Sequence, residues 1–151
     1  MKKYWLLKSE PSAYSIDDLA KDKRADWTGI RNYQARNFIR DEMNAGDLAL
    51  IYHSGSDIGV YGVAKILGKA HGDPTALDKK DSHYDPKSTK EEPIWYSVDI
   101  LFEKKFKHPV GLGQIKIDPQ LLGIMVAARG SRLSVQPLSE AHFRHILELG
   151  K

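Results

Sequence analysis

No cysteine occurs in this chain of 151 residues. That excludes disulfides, thiolate metal sites and thiol nucleophiles together, and it suits a reducing compartment. Long apolar runs are missing as well. The one near the start, Tyr4-Trp5-Leu6-Leu7, breaks at Lys8-Ser9-Glu10-Pro11. It is too short for a signal-peptide core or a membrane span, so the expectation is a soluble, cytoplasmic protein with no membrane partner. No block of five or more Lys and Arg residues appears, although basic residues outnumber acidic ones, 23 to 20, for a net charge of +3. This mild excess permits a polyanionic partner without requiring one. A nucleic-acid ligand would have to be held by a shaped site. There is no internal repeat and no low-complexity tract. The Gly-x-Ser-x-Gly elbow of serine hydrolases is absent. Gly55-Ser56-Asp57-Ile58-Gly59 and Gly111-Leu112-Gly113 lack the spacing of a phosphate cradle.

The length fits one domain over residues 1–151. A chain of this size buries about 70% of its unfolded surface, enough for a core without staples. Tyr4 to Leu7 reads as a short buried strand. Ser15 with Asp18 three residues on reads as the cap of a short helix carrying Ile16 and Leu19. Asn32 caps a second helix, whose Ala35, Phe38, Ile39 and Met43 recur at helical spacing. Strands follow over 48–52 and 58–67, joined by the turn residues 53–57. Residues 68–93 form a long polar stretch, which in a compact domain tends to be functional. Alternation predicts a strand over 94–102, with Ile94, Tyr96, Val98, Ile100 and Phe102 on one face. Short helices are expected from Pro119 and after Ser139, with a last strand over 133–138. Strands cluster in the middle and do not alternate with helices. The fold class is therefore α+β with a mostly antiparallel, curled sheet.

Several segments could carry chemistry. Lys8-Ser9-Glu10-Pro11 leaves the first strand and suits either a solvated turn or a pocket rim. Trp27-Thr28-Gly29-Ile30-Arg31-Asn32-Tyr33 places an aromatic ring in a polar loop ahead of a helix. That ring can stack on a base or plug the core. Arg31 stands beside the helix N-terminus, and Arg36 and Arg40 follow on one helix face; all three are candidates for phosphate contacts, or for a solvated face. His53-Ser54 does not suit a catalytic triad, because adjacent residues cannot easily adopt triad geometry. His71-x-Asp73 and His83-x-Asp85 are single pairs without a companion motif, so no metal site is expected.

Taken together, the ordered segments Tyr-Trp-Leu-Leu-Lys-Ser-Glu-Pro (4–11), Trp-Thr-Gly-Ile-Arg-Asn-Tyr-Gln-Ala-Arg-Asn (27–37), Tyr-His-Ser (52–54), His-Tyr-Asp-Pro (83–86), Trp-Tyr-Ser-Val-Asp (95–99) and Arg-Leu-Ser-Val-Gln-Pro (132–137) resemble the EVE domain family. The likeness runs from residue 4 to the end of the chain. It implies a PUA-like β-pseudobarrel, related to the YTH and ASCH domains, with short helices packed outside. It also implies a non-catalytic module that recognises a modified base, modified cytosine first, in DNA or RNA. No cofactor is implied, and a monomer is expected. YTH relatives hold a methylated base in an aromatic cage, with a Lys-Ser segment after the first strand and a cage Trp further on. Lys8-Ser9 and Trp27 occupy those places. The ligand-binding set implied by the resemblance is Lys8, Ser9, Glu10, Trp27, Thr28, Gly29, Arg31, Asn32, Tyr33, Tyr52, His53, Ser54, Tyr84, Arg132 and Ser134. Where YTH domains have Asn after Lys-Ser, this chain has Glu10. A carboxylate accepts hydrogen bonds and cannot donate them, which favours a base with an amino group. The alternative is an enzyme acting on a modified nucleoside or RNA, as some ASCH relatives do, with Lys8 as its base or nucleophile.

Overall fold

The computed structural model describes residues 2–151. Strand β1 (Tyr4–Ser9) is followed by helix α1 (Ile16–Asp22) and strand β2 (Arg24–Asp26). Helix α2 (Tyr33–Asn37) runs on into a π-helical turn over Phe38–Glu42. Strands β3 (Leu48–His53) and β4 (Gly59–Ile66) make an antiparallel hairpin. A small ribbon pairs β5 (His71–Gly72) with β6 (Tyr96–Ser97). Then come β7 (Asp99–Gly111), helix α3 (Leu112–Ile117) and two single 3-10 turns at Pro119–Leu121 and Met125–Ala127. Strand β8 (Val135–Leu138) and helix α4 (Glu140–Leu149) complete the fold.

Six strands form one sheet in the order β2-β7-β4-β3-β1-β8. β1 pairs with β3 in parallel and with β8 antiparallel; the remaining ladders are antiparallel. The ladder between β4 and β7 shifts register twice, between Val60 and Gly62 and between Val63 and Ala64. Such bulges bend the strands and let the sheet curl. The class is thus α+β with a curled sheet forming a half-barrel, as the resemblance implied. Period-2 alternation sorts the strands into two cores. Trp5, Leu7, Ala49 and Ile51 pack with Ile16, Leu19, Ile39 and Trp27 on one face. Leu6, Leu50, Val60 and Val63 pack with Phe106, Ile115, Phe143 and Ile146 on the other. Gly62 lets α1 approach the sheet closely, because a Cβ there would stand 2.7 Å from Ile16 Cδ1. The Ser15 cap forms as expected: its hydroxyl accepts from Asp18 N at 3.1 Å, and the Asp18 carboxylate accepts from Ser15 N at 2.9 Å.

Three expectations need correction. The strand expected over 94–102 is two strands: β6 belongs to the small ribbon, and β7 begins at Asp99 and continues to Gly111. Beyond Leu101, β7 has only β4 beside it, and an edge strand tolerates the charged residues and Pro109 that disguised it. The helix expected through Met43 is α-helical only to Asn37 before the π-helical turn. The stretch 68–93 is not structureless. Asp78, Asp81 and Asp85 each accept from the backbone N–H two residues on, at Lys80, His83 and Lys87, which makes a chain of Asx-turns. Among the described residues, no helix is long and apolar enough to cross a membrane.

Candidate functional site

A cavity of about 400 Å³ opens where β1 and β2 end. Lys8, Ser9, Ala13, Tyr14, Asp26 and Trp27 line it, together with Ala25, Thr28, Gly29 and His83. The local folding explains why these meet. The Glu10 carbonyl accepts from Ala13 N and Tyr14 N at 2.9 Å each, so the chain turns back directly after β1. Ser9 Oγ closes that turn on the Tyr14 carbonyl at 2.6 Å. β2 brings Asp26 opposite Asp99 of β7, and Trp27 N donates to the Val98 carbonyl at 2.8 Å. The indole of Trp27 is 93% buried, with Tyr14 edge-on to it at 6.2 Å. Trp27 therefore packs in the core with most of its surface and borders the cavity with the rest.

The Trp27–Arg31 loop is held by a buried clasp. Asp73 Oδ2 accepts from Gly29 N at 2.8 Å and from Arg31 Nη1 at 2.9 Å, while Oδ1 accepts from Thr75 N at 2.8 Å. The Asp73 side chain has no exposure at all. Burial pushes its pKa up, but these donors prevail and hold it below the usual carboxylate value. Gly29 sits at φ +85°, and a Cβ there would stand 3.0 Å from His83 Nε2. Only glycine fits both the angle and the approach.

Asp26 is the residue that sequence reading missed. Its Oδ1 is buried and has no hydrogen-bond partner among the described residues. Burial raises its pKa, with Ser97 and His71 opposing that shift. His71 Nε2 stands 3.6 Å from Asp26 and 3.5 Å from Asp99. Facing carboxylates on paired strands repel, and the imidazole between them supplies a countercharge when protonated. Burial lowers the His71 pKa, but the Gly72 carbonyl and the two carboxylates outweigh it and raise it. Asp26, His71 and Asp99 offer three ligand atoms within 4.8 Å of one another, a set that a cation could use. His71 thus partners Asp26 and Asp99 and not Asp73, its neighbour in the sequence pattern.

The other expected site residues are dispersed. Glu10 is exposed and does not line the cavity; its carboxylate takes the Ser12 hydroxyl at 3.2 Å and lies beside Gly55. His53 is buried, and its Nε2 accepts from Ile16 N at 3.0 Å, so it holds the start of α1. Burial lowers its pKa. Ser54 N donates to the Ser9 carbonyl at 3.0 Å. Asn32 caps α2 by accepting from Ala35 N at 3.0 Å, and Tyr33 stacks on Trp95 at 4.9 Å outside the cavity. Tyr84 N donates to the Asp81 carbonyl within the Asx-turn segment. All three candidate phosphate arginines are engaged. Arg31 joins the Asp73 clasp and the His83 carbonyl. Arg36 donates to Ile94 O at 2.9 Å and stacks over Tyr33 at 4.8 Å. Arg40 forms a two-point pair with Asp41 at 2.7 and 2.8 Å.

Lys8 links the cavity to a second, larger groove of about 730 Å³ that holds Tyr52 and Arg132. Its ammonium donates to the Ser131 carbonyl at 3.2 Å and lies 5.6 Å from the Tyr52 ring, and burial lowers its pKa. The Ser134 carbonyl accepts from Lys8 N at 2.9 Å.

A curled sheet with an aromatic-walled cavity at its strand ends defines a PUA-like module. The profile of the EVE domain matches residues 3–149, and the chain belongs to that family. Thymocyte nuclear protein 1 of Homo sapiens is 38% identical over 168 residues, which is 99% of this chain and 74% of that protein. A crystal structure from Pseudomonas syringae superposes with a TM-score of 0.93 at 44% identity, over 98% of this chain and 99% of that one. The crystal structure of human THYN1 protein in complex with 5-methylcytosine-containing DNA superposes with a TM-score of 0.90 at 35% identity, over 99% of this chain and 98% of that one. An ASCH protein from Zymomonas mobilis, at 13% identity and a TM-score of 0.57 over 99% of this chain and all of that one, shares the fold alone.

Proposed function

We propose that this protein is a non-catalytic module that takes one modified base of a DNA strand, 5-methylcytosine first, into the cavity between β1 and β2. It would act as a cytoplasmic monomer without a metal. The human relative solved with 5-methylcytosine DNA supports the choice of nucleic acid and base. The observation that carries the reading is Asp26, a half-buried carboxylate that lines the cavity together with Trp27 and Lys8. Cytosine presents an exocyclic amino donor next to ring acceptors, and a carboxylate accepts from that donor. Ala13 and Ala25 give the 5-methyl group apolar contact. Thymine carries the same methyl but turns a carbonyl toward Asp26, which repels it. Extruding the base costs a few kcal/mol, which these contacts must offset. The enzymatic reading needs Lys8 as a free base or nucleophile, whereas its ammonium donates to the Ser131 carbonyl.

The test is a titration with otherwise identical DNA oligomers carrying 5-methylcytosine, cytosine or thymine at one position. The parent should bind them in that order. Asp26→Asn adds a donor facing the base and should cut the preference for 5-methylcytosine over thymine by about 1–3 kcal/mol, the worth of a good base-edge contact. An unchanged order in this variant would remove Asp26 from base reading.

A further inference from the structure

The three arginines nearest the aromatic loop are engaged in internal contacts, yet a strand whose base sits in the cavity must lay its phosphates somewhere. The groove beyond Lys8 has the right character. Lys8, Lys116, Arg129 and Arg132 line it, and no acidic residue does. Lys116, Arg129 and Arg132 are exposed, and none of the three forms a salt bridge among the described residues. The floor is apolar and short: Val126 and Ala127 come from the last 3-10 turn, Ala128 follows it, and Tyr52 comes from β3. The two concavities share Lys8, whose ammonium is tied to the Ser131 carbonyl on the groove side while its stem borders the cavity.

We propose that this groove is the backbone cradle: Lys116, Arg129 and Arg132 hold the phosphates of the DNA strand that flanks the extruded base, and Lys8 stands at the joint between base and backbone. This rests on the base-binding reading for the occupant, and adds where the strand runs. Charge complementarity fixes the partner's chemistry, since a groove about 730 Å³ in volume with four cations and no anion suits a linear polyanion. The cradle reads no sequence. It contributes a salt-dependent affinity common to all strands, while the cavity contributes the discrimination.

The experiment measures dissociation constants across a salt series for a single-stranded DNA oligomer with 5-methylcytosine and for its unmodified twin. Proteins compared are the parent, Lys116→Gln, Arg129→Gln, Arg132→Gln, the triple variant and Arg40→Gln. Each single groove variant should flatten the logarithmic salt slope by about one unit and the triple variant by about three. Both oligomers should weaken alike, so the ratio between them stays put. Arg40→Gln, paired to Asp41, should leave the slope unchanged. Melting temperatures identify any variant that misfolds, and these exposed sites should not move them. A parent slope retained by the triple variant would overturn the cradle whatever the base preference does. Loss of the modified-over-unmodified ratio with the slope intact would do the same, placing these residues at the base. A flattened slope in a protein with no preference for 5-methylcytosine would leave the cradle standing and sink the base reading. Tighter binding of the matching RNA strand would overturn the choice of DNA.

Discussion

The Trp27–Arg31 loop and the Ala128–Arg132 loop both border the Lys8 side chain, and they use arginine in opposite ways. In the first, Arg31 spends its guanidinium on Asp73, Thr75 and the His83 carbonyl. In the second, Arg129 and Arg132 face solvent with no acidic partner among the described residues. The difference teaches that Arg31, in the most conspicuous motif of the chain, helps to hold its own loop. The loop walls the cavity with Trp27, Thr28 and Gly29, whereas Arg129 and Arg132 are exposed, Arg132 at the head of a motif that carries the family resemblance. The Arg31 guanidinium, bonded to three partners, cannot turn to a ligand without breaking contacts that hold the loop.

Three experiments would break or sharpen this contrast, taken from the largest expected effect. Trp27→Ala removes an indole that is 93% buried. It should cost about 3–5 kcal/mol of unfolding free energy, whereas Arg129→Ala should stay within about 0.5 kcal/mol. Denaturant titrations compare the two, and equal effects would erase the distinction between wall and open loop. Asp73→Asn leaves Arg31 without its buried anion and should cost about 3 kcal/mol. Acid should act in the same direction. The folded pKa of Asp73 lies below its ordinary 3.8, so its contribution is present above that value and disappears as pH falls through the folded one. A parent protein no more acid-sensitive than Asp73→Asn below pH 4 would show the clasp to be weak. The smallest effect concerns His53, whose pKa burial lowers from 6.5. Its neutral Nε2 accepts from Ile16 N. The unfolded chain takes up the proton first, so stability should drop as pH falls below 6.5 and level off once the folded pKa is passed. His53→Gln keeps an acceptor without the titration and should flatten that part of the profile; an identical profile would take His53 out of the account.

How far the sequence was legible follows the same division. Alternation in 48–52 and 58–67 and the Ser15, Asn32 and Ser139 caps are local signals; the two strands formed close to where they were expected, and the three helices start at their caps. β2 was hidden because Arg24-Ala25-Asp26 is short and charged and becomes a strand only through pairing with β7. Of the candidate site, Lys8, Ser9, Trp27, Thr28 and Gly29 do meet in one cavity. Asp26 escaped because its burial depends on a cross-strand neighbour distant in sequence. Glu10 was read as a pocket residue because it follows Lys8-Ser9, but β1 ends at Ser9 and the turn that begins with Glu10 sends its carboxylate toward Gly55.

The parallel pairing of β1 with β3, flanked by β8, has a consequence for biosynthesis. Tyr4 to Leu7 leave the ribosome long before Val135 to Leu138, which are their partners on one side. A nascent chain can close the β3–β4 hairpin early, since those contacts are local, but β1 keeps an open edge until Val135 to Leu138 have followed. Such long-range closure slows folding, and an unpaired apolar strand is what chaperones bind and aggregates recruit. The strand that supplies Lys8 to the cavity thus stays open on one side until β8 pairs with it.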